Sequence, residues 1–144
     1  MGATVEEIAS LLESDRFIIL EGIPGVGKTH VFNKLKKEIP FDKTFFLTFH
    51  PSTDYSEFVG GIKPVVTTQN KLQFKPSKGH ILNAIDEAKK GEKILVWIDE
   101  LNRGNVPQIF GDLITLLGNS DPPTLHIPFV GLVGDKLRLG EKGL

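Results

Sequence analysis

The sequence predicts an α/β fold built on a parallel sheet of the kind that binds nucleotides, and three observations predict it. An apolar run at residues 17–20 leads into Gly22-x-x-x-x-Gly27-Lys28-Thr29 and then into a helical pattern. A second apolar run, residues 94–98, ends in Asp99-Glu100. Between and around them, strand-like and helix-like stretches alternate, the order that lays helices over the faces of a parallel sheet.

Taken in order, residues 4–15 read as a first helix. Thr4 caps it with Glu7 three positions on, and Val5, Ile8, Leu11 and Leu12 form one apolar stripe. Residues 17–20 are expected to be the first strand. The glycine-rich turn after them has the composition of a phosphate-binding loop. Gly22, Gly25 and Gly27 let the backbone take positive φ and bring its N–H groups up to phosphate oxygens, and Pro24 stiffens the turn. Lys28 supplies a full positive charge near the β- and γ-phosphates. Thr29 opens a helix whose N-terminal dipole faces the anion, and its hydroxyl can ligate Mg²⁺. Val31, Phe32, Leu35 and Ile39 mark the buried face of that helix, Lys34, Lys36 and Lys37 its solvated side, and Pro40 its end.

Residues 43–50 read as the second strand. The stretch from Pro51 to Lys78 lacks helical period, and within it residues 65–67 and 72–74 are expected to pair as a short hairpin around Gln69-Asn70. A span this long without a regular core element is usually functional or mobile. Residues 78–90 return to helix, with Ile81, Leu82, Ile85 and Ala88 apolar and Gly91 as the stop. The run Ile94 to Ile98 is continuous in the way of a parallel strand buried on both faces, with Trp97 in the core, and Asp99-Glu100 stands where its C-terminal end meets the crevice. Asp99 is expected to hold Mg²⁺ and Glu100 to polarise the attacking water. Residues 105–117 read as one helix, with Asn105 as cap, Pro107 in the first turn, and Ile109, Phe110, Leu113, Ile114, Leu116 and Leu117 inward. Gly111 weakens it. Residues 124–127 and 136–139 are read as a hairpin.

Composition narrows the class. The 144 residues make about one domain, and 40% hydrophobic with 24% charged residues supplies a core. A formal net charge of −1 gives no global pull toward nucleic acid or anionic membrane, so any DNA contact has to be local or made by another part. With no cysteine there is neither a disulfide framework nor a thiolate zinc site. No apolar run approaches the ~20 residues of a membrane span, and no signal-peptide pattern opens the chain, so the cytoplasm is the default location. His30, His80 and His126 show no metal-ligand spacing, and His50 ends a strand beside the expected crevice.

Residues 49–65, FHPSTDYSEFVGGIKPV, followed by residues 94–117, ILVWIDELNRGNVPQIFGDLITLL, resemble the AAA+ NTPases of the McrB type, motor subunits of modification-dependent restriction systems. The loop alone supports only a P-loop NTPase. The Asp-Glu-x-Asn-Arg-x-Asn run and the helix after it are more specific, and the resemblance covers residues 11–139. It implies an α/β P-loop NTPase of the AAA+ type, a three-layer sandwich with a parallel sheet. The nucleotide-contacting set becomes Gly22, Ile23, Pro24, Gly25, Val26, Gly27, Lys28, Thr29 and His30; the metal residues are Thr29 and Asp99; the catalytic set is Glu100, Lys28 and Arg103, with Asn102 and Arg103 facing a ring interface. It further implies Mg²⁺ with ATP or GTP, a homo-hexameric ring, and a nuclease subunit and DNA as partners, with no membrane. Gly118 departs from the family's Glu. The chain stops at Leu144, about where the family continues into a sensor strand, an arginine finger and a helical lid. On this resemblance residues 1–144 are the N-terminal part of one AAA+ domain, with residues 1–15 a leading helix and 51–78 a long insertion, from a fragment, a truncated product or a decayed copy. The absent strand is expected to belong between residues 17–20 and 94–98, leaving the chain marginally stable and hydrolysing NTP poorly or not at all unless residues 124–139 fill the gap. The alternative is an assembly module that holds nucleotide without turning it over. A switch GTPase is disfavoured, because no Asn-Lys-x-Asp is present.

Overall fold

A computed structural model describes residues 4–14, 17–22 and 27–117. Its elements are α1 (Val5–Ser14), α2 (Lys28–Glu38), β1 (Lys43–Thr48), α3 (Tyr55–Phe58), β2 (Gly60–Val66), β3 (Leu72–Lys78), α4 (His80–Lys89), β4 (Ile94–Asp99) and α5 (Val106–Phe110), with 3-10 turns at Leu101–Arg103 and Gly111–Leu116. Strands β1 and β4 pair in parallel, with Lys43 opposite Ile94 and Thr48 opposite Asp99. Strands β2 and β3 form a separate antiparallel hairpin.

Successive side chains of a strand point to opposite faces, and β4 uses both. Trp97 turns toward a cluster of Val5, Ile8 and Leu35, which joins α1 and α2 on one side. Ile98 turns toward Phe49, Phe58, Leu82, Ile109 and Phe110, which joins α3, α4 and α5 on the other. The chain thus has helices on both faces of a parallel strand pair, the layering expected from the sequence. In the larger cluster three phenylalanines meet, with ring centroids 5.4 Å apart for Phe49 and Phe58 and 4.7 Å for Phe58 and Phe110. Burying each such ring contributes about 1.5–3 kcal/mol. The Thr4 cap is reciprocal as expected: the Glu7 N–H donates to Thr4 Oγ1 at 3.2 Å, and the Thr4 N–H to Glu7 Oε2 at 2.8 Å.

Several expectations are corrected. Residues 17–20 keep the alternation of a strand, Ile18 and Leu20 packing inward while Phe17 and Ile19 are exposed, but they join no ladder. A strand needs a hydrogen-bonded neighbour, and β4 is paired only with β1 among the described residues. For the same reason the run Ile94 to Ile98 is mostly half-buried, with Leu95 alone fully buried. Leu11 of the first stripe is exposed at 45%, and Ala88 of the fourth helix is also exposed.

The helix expected over residues 105–117 stops being α at Phe110. Gly111 takes φ 52° and ψ −135°, and a Cβ there would stand 2.8 Å from Cε2 of the Tyr55 ring, so the chain turns over that ring and continues as a 3-10 turn. Ile114 ends up 46% exposed, while Ile109, Phe110 and Leu113 are buried. The Asn105 side chain does accept from the Gln108 N–H, and Pro107 lies in the first turn. The second strand ends at Thr48 rather than residue 50. The 51–78 stretch contains α3, capped by the Asp54 carboxylate, which accepts from the Glu57 N–H and the Ser56 hydroxyl. Its hairpin is longer than expected, running back to Gly60 and Lys78. Gly91 takes φ 88° after α4, as a glycine stop should. The expected hairpin at residues 124–139, with Gly118 and His126, lies outside the described residues.

Candidate functional site

The two signature segments are brought together by packing between their elements. Gly27 adopts φ 92° and leads directly into α2, so Lys28 and Thr29 form its first turn. One turn later Phe32 is buried against Trp97 of β4, ring centroids 5.2 Å apart. Trp97 and Asp99 are two positions apart in one strand and share a face. Asp99 therefore sits at the C-terminal end of β4 on the side that α2 covers. Thr48 stands beside it in register, and the Phe49 N–H donates to the Asp99 carbonyl at 3.0 Å. Thr48 was not singled out from sequence; the signal available was that two parallel strands ending together bring their last residues side by side.

Across the loop positions, the Lys28 ammonium donates to the Gly22 carbonyl at 2.8 Å. Thr29 and His30 are exposed at the start of α2, and Ile23, Pro24, Gly25 and Val26 lie outside the described residues. Asp99 Oδ1 accepts from the Glu100 N–H at 3.0 Å. Glu100 itself has φ 54° and ψ 37°, a left-handed conformation uncommon for a residue with a Cβ. That conformation turns the chain sharply off the strand end and leaves the Glu100 carboxylate in solvent. Arg103, three residues on, places Nε 3.7 Å from Glu100 Oε2, and both side chains are about half exposed. Asn102 is exposed beside it. His50 is exposed, and its backbone N–H donates to Thr53 Oγ1 at 2.9 Å.

Among the described residues no three His, Asp or Glu side chains converge on a point that could hold a metal. Asp99 and Thr29 offer one carboxylate and one hydroxyl, oxygen donors of the kind that suit Mg²⁺, an ion that keeps several waters in its shell. The residues present fit that ion. No helix among the described residues is long and apolar enough to cross a membrane.

Residues 17–126 match the family described as AAA domain, dynein-related subfamily. The chain is similar to the Type IV methyl-directed restriction enzyme EcoKMcrB subunit of Escherichia coli (strain K12), 33% identical over 120 residues that cover 79% of this chain and 25% of that protein. It is also similar to the Type II restriction enzyme BsuMI component YdiS of Bacillus subtilis (strain 168), 26% identical over 156 aligned positions that cover 87% of this chain and 46% of that protein. The chain spans about a quarter of the first relative's length and just under half of the second's.

Proposed function

Since this chain belongs to the dynein-related subfamily of AAA domains, we propose that it binds a nucleoside triphosphate, ATP or GTP, with Mg²⁺ at the loop before α2, hydrolyses it, and serves as a motor module acting on DNA in a restriction-type system. The observation that carries the nucleotide part is the Phe32–Trp97 contact, which packs α2, one turn beyond Lys28 and Thr29, against the strand that ends in Asp99. That contact supports reading Lys28 as the charge for the phosphates and Asp99 as the carboxylate for the metal.

In this reading the N-terminal dipole of α2, the loop amides and Lys28 bind the phosphates. Lys28 exchanges the Gly22 carbonyl for a phosphate oxygen. Thr29 and Asp99 would hold Mg²⁺, which when bound neutralises charge building on the β- and γ-oxygens. The Glu100 carboxylate orients a water in line with the γ-phosphorus and accepts its proton as the P–O bond to the β-phosphate breaks, giving the diphosphate and inorganic phosphate. The DNA role and a nuclease partner are suggested by the names of the two restriction-enzyme relatives, and a homo-hexameric ring by the family.

A second reading, a module that holds nucleotide without efficient turnover, draws on the Glu100–Arg103 pair. An arginine beside the base competes for the carboxylate that must reach the water. Nucleotide binding tests the site: Lys28→Ala leaves the amides but removes the charge, and should weaken a fluorescently labelled nucleotide by more than the ~1.5–3 kcal/mol of one charge-assisted hydrogen bond. Equal affinities for the two proteins would refute it. Phosphate release then separates the two readings.

A further inference from the structure

The β2–β3 hairpin carries charge in an unusual arrangement. Between Glu57 and Asp86 the sequence contains four lysines, at 63, 71, 75 and 78, and no carboxylate. Lys63 and Lys75 are direct cross-strand partners. Lys71 follows at the turn opposite Thr67, whose N–H donates to the Lys71 carbonyl at 2.9 Å. That bond fixes the alternation: the pairs 65/73 and 63/75 fall in step with 67/71, so Lys63, Lys71 and Lys75 share one face. Like charges directly opposite one another destabilise a sheet. Only Lys78 of the four is in an ion pair, with Asp86 at 2.6 Å; the other ion pairs among the described residues involve Lys43, Lys90 and Arg103.

The strand edges exclude one mode of contact. The intervening pairs, Pro64 with Phe74 and Ile62 with Pro76, are the ones whose N–H positions point outward, and each places a proline on an open edge. An incoming strand therefore meets a missing donor on either side. What the hairpin offers is a side-chain face, and the one bearing Lys63, Lys71 and Lys75 is cationic. Its electrostatic neighbour is Asp54, whose carboxyl is lowered by hydrogen bonds from Ser56 and Glu57 and, after them, by Lys63. We propose that this lysine face docks on the phosphate backbone of DNA, a local contact in a chain whose net charge of −1 gives no general attraction. The inference rests on the reading of the chain as a module acting on DNA and supplies the contact that reading lacks.

The test uses the full chain and a short labelled DNA duplex followed by fluorescence anisotropy across a salt series. Lys63→Gln/Lys71→Gln/Lys75→Gln is compared with Lys34→Gln/Lys37→Gln/Lys89→Gln, an equal change of net charge on the helices. The hairpin variant should lose affinity on the order of tenfold at low salt, and the slope of log K against log salt should fall by about 0.9 for each phosphate contact removed. Its melting temperature should stay level or rise, because the opposed lysines are gone. The helix variant should keep the wild-type slope. Equal losses in both variants, or wild-type binding that the hairpin change leaves intact, would overturn the assignment while sparing the DNA reading. A wild-type chain that binds labelled nucleotide but neither duplex nor single-stranded DNA would overturn both this proposal and the DNA reading, and leave the nucleotide site standing. Binding to phosphatidylserine vesicles with none to DNA would overturn it in favour of a membrane surface.

Discussion

Glu100 can be separated from a structural residue by measuring stability and turnover on the same variants. Its left-handed backbone costs about 1–2 kcal/mol for a residue with a Cβ. Its ion pair with Arg103 returns little, since both partners are about half exposed and such pairs are worth roughly 0–1 kcal/mol. Glu100→Gln keeps the strain and loses only the pair, so it should change stability by no more than about 0.5 kcal/mol, or about 1–2 °C in a chain of this size. Glu100→Asn occupies the same conformation more easily and should melt at or slightly above wild type. Both variants should bind nucleotide normally and release phosphate at least about a hundredfold more slowly, the lower range of a general base's contribution. Thermal melts, labelled-nucleotide titration and a phosphate-release assay read the three quantities. A Glu100→Gln protein destabilised by about 2 kcal/mol or more, or one that turns over like wild type, would refute the view that strain is tolerated here for chemistry.

Asp99→Asn retains an oxygen that can accept from the Glu100 N–H, so the fold should persist while the magnesium-dependent part of nucleotide affinity falls; titrations with and without Mg²⁺ will show it. Gly79→Ala would place a Cβ 2.5 Å from the Glu57 carbonyl oxygen and 2.6 Å from that of Phe58, and would push apart the 2.7 Å bond from the Gly79 N–H to the Val59 carbonyl. A loss of about 2–4 kcal/mol in urea unfolding is expected, from overpacking and one weakened hydrogen bond together. Lys43 and Lys90 hold the Glu87 carboxyl down to about 2, from an ordinary 4.5. This support is therefore complete above pH 4.5 and is lost as pH falls toward 2. Lys43→Ala should flatten that acid limb of a melting-temperature profile.

Where sequence and structure agree, the cause is local. The Thr4 cap, the glycine stop at Gly91, the hairpin turn near Asn70 and the start of α2 at Lys28 each depend on residues within a few positions of one another. The loop signature and the Asp99-Glu100 pair are likewise short local patterns, readable without any distant partner. What escaped depends on distant partners. Residues 17–20 have a strand's alternation, yet a ladder also requires a neighbour, which no pattern within four residues can supply. The break at Gly111 follows from the Tyr55 ring beneath it, more than fifty positions away in the chain. The left-handed turn at Glu100 and its pairing with Arg103 are the exception: they lie within three residues, but a left-handed Glu has no residue-type signal. The lysine face was hidden because the register that aligns Lys63 with Lys75 is set by a turn between them.

The hairpin leaves the core at Gly60 and returns at Lys78, and those two residues are already cross-strand partners. Its ends are thus joined by the body of the protein whatever lies between them. Changing the length of such an excursion costs only the slowly growing entropy of a longer loop, about 0.6 kcal/mol per doubling. The tip at residues 67–71 is accordingly a natural insertion point, where a peptide tag or a fluorophore can be carried outside both packed clusters and report on whatever approaches that side.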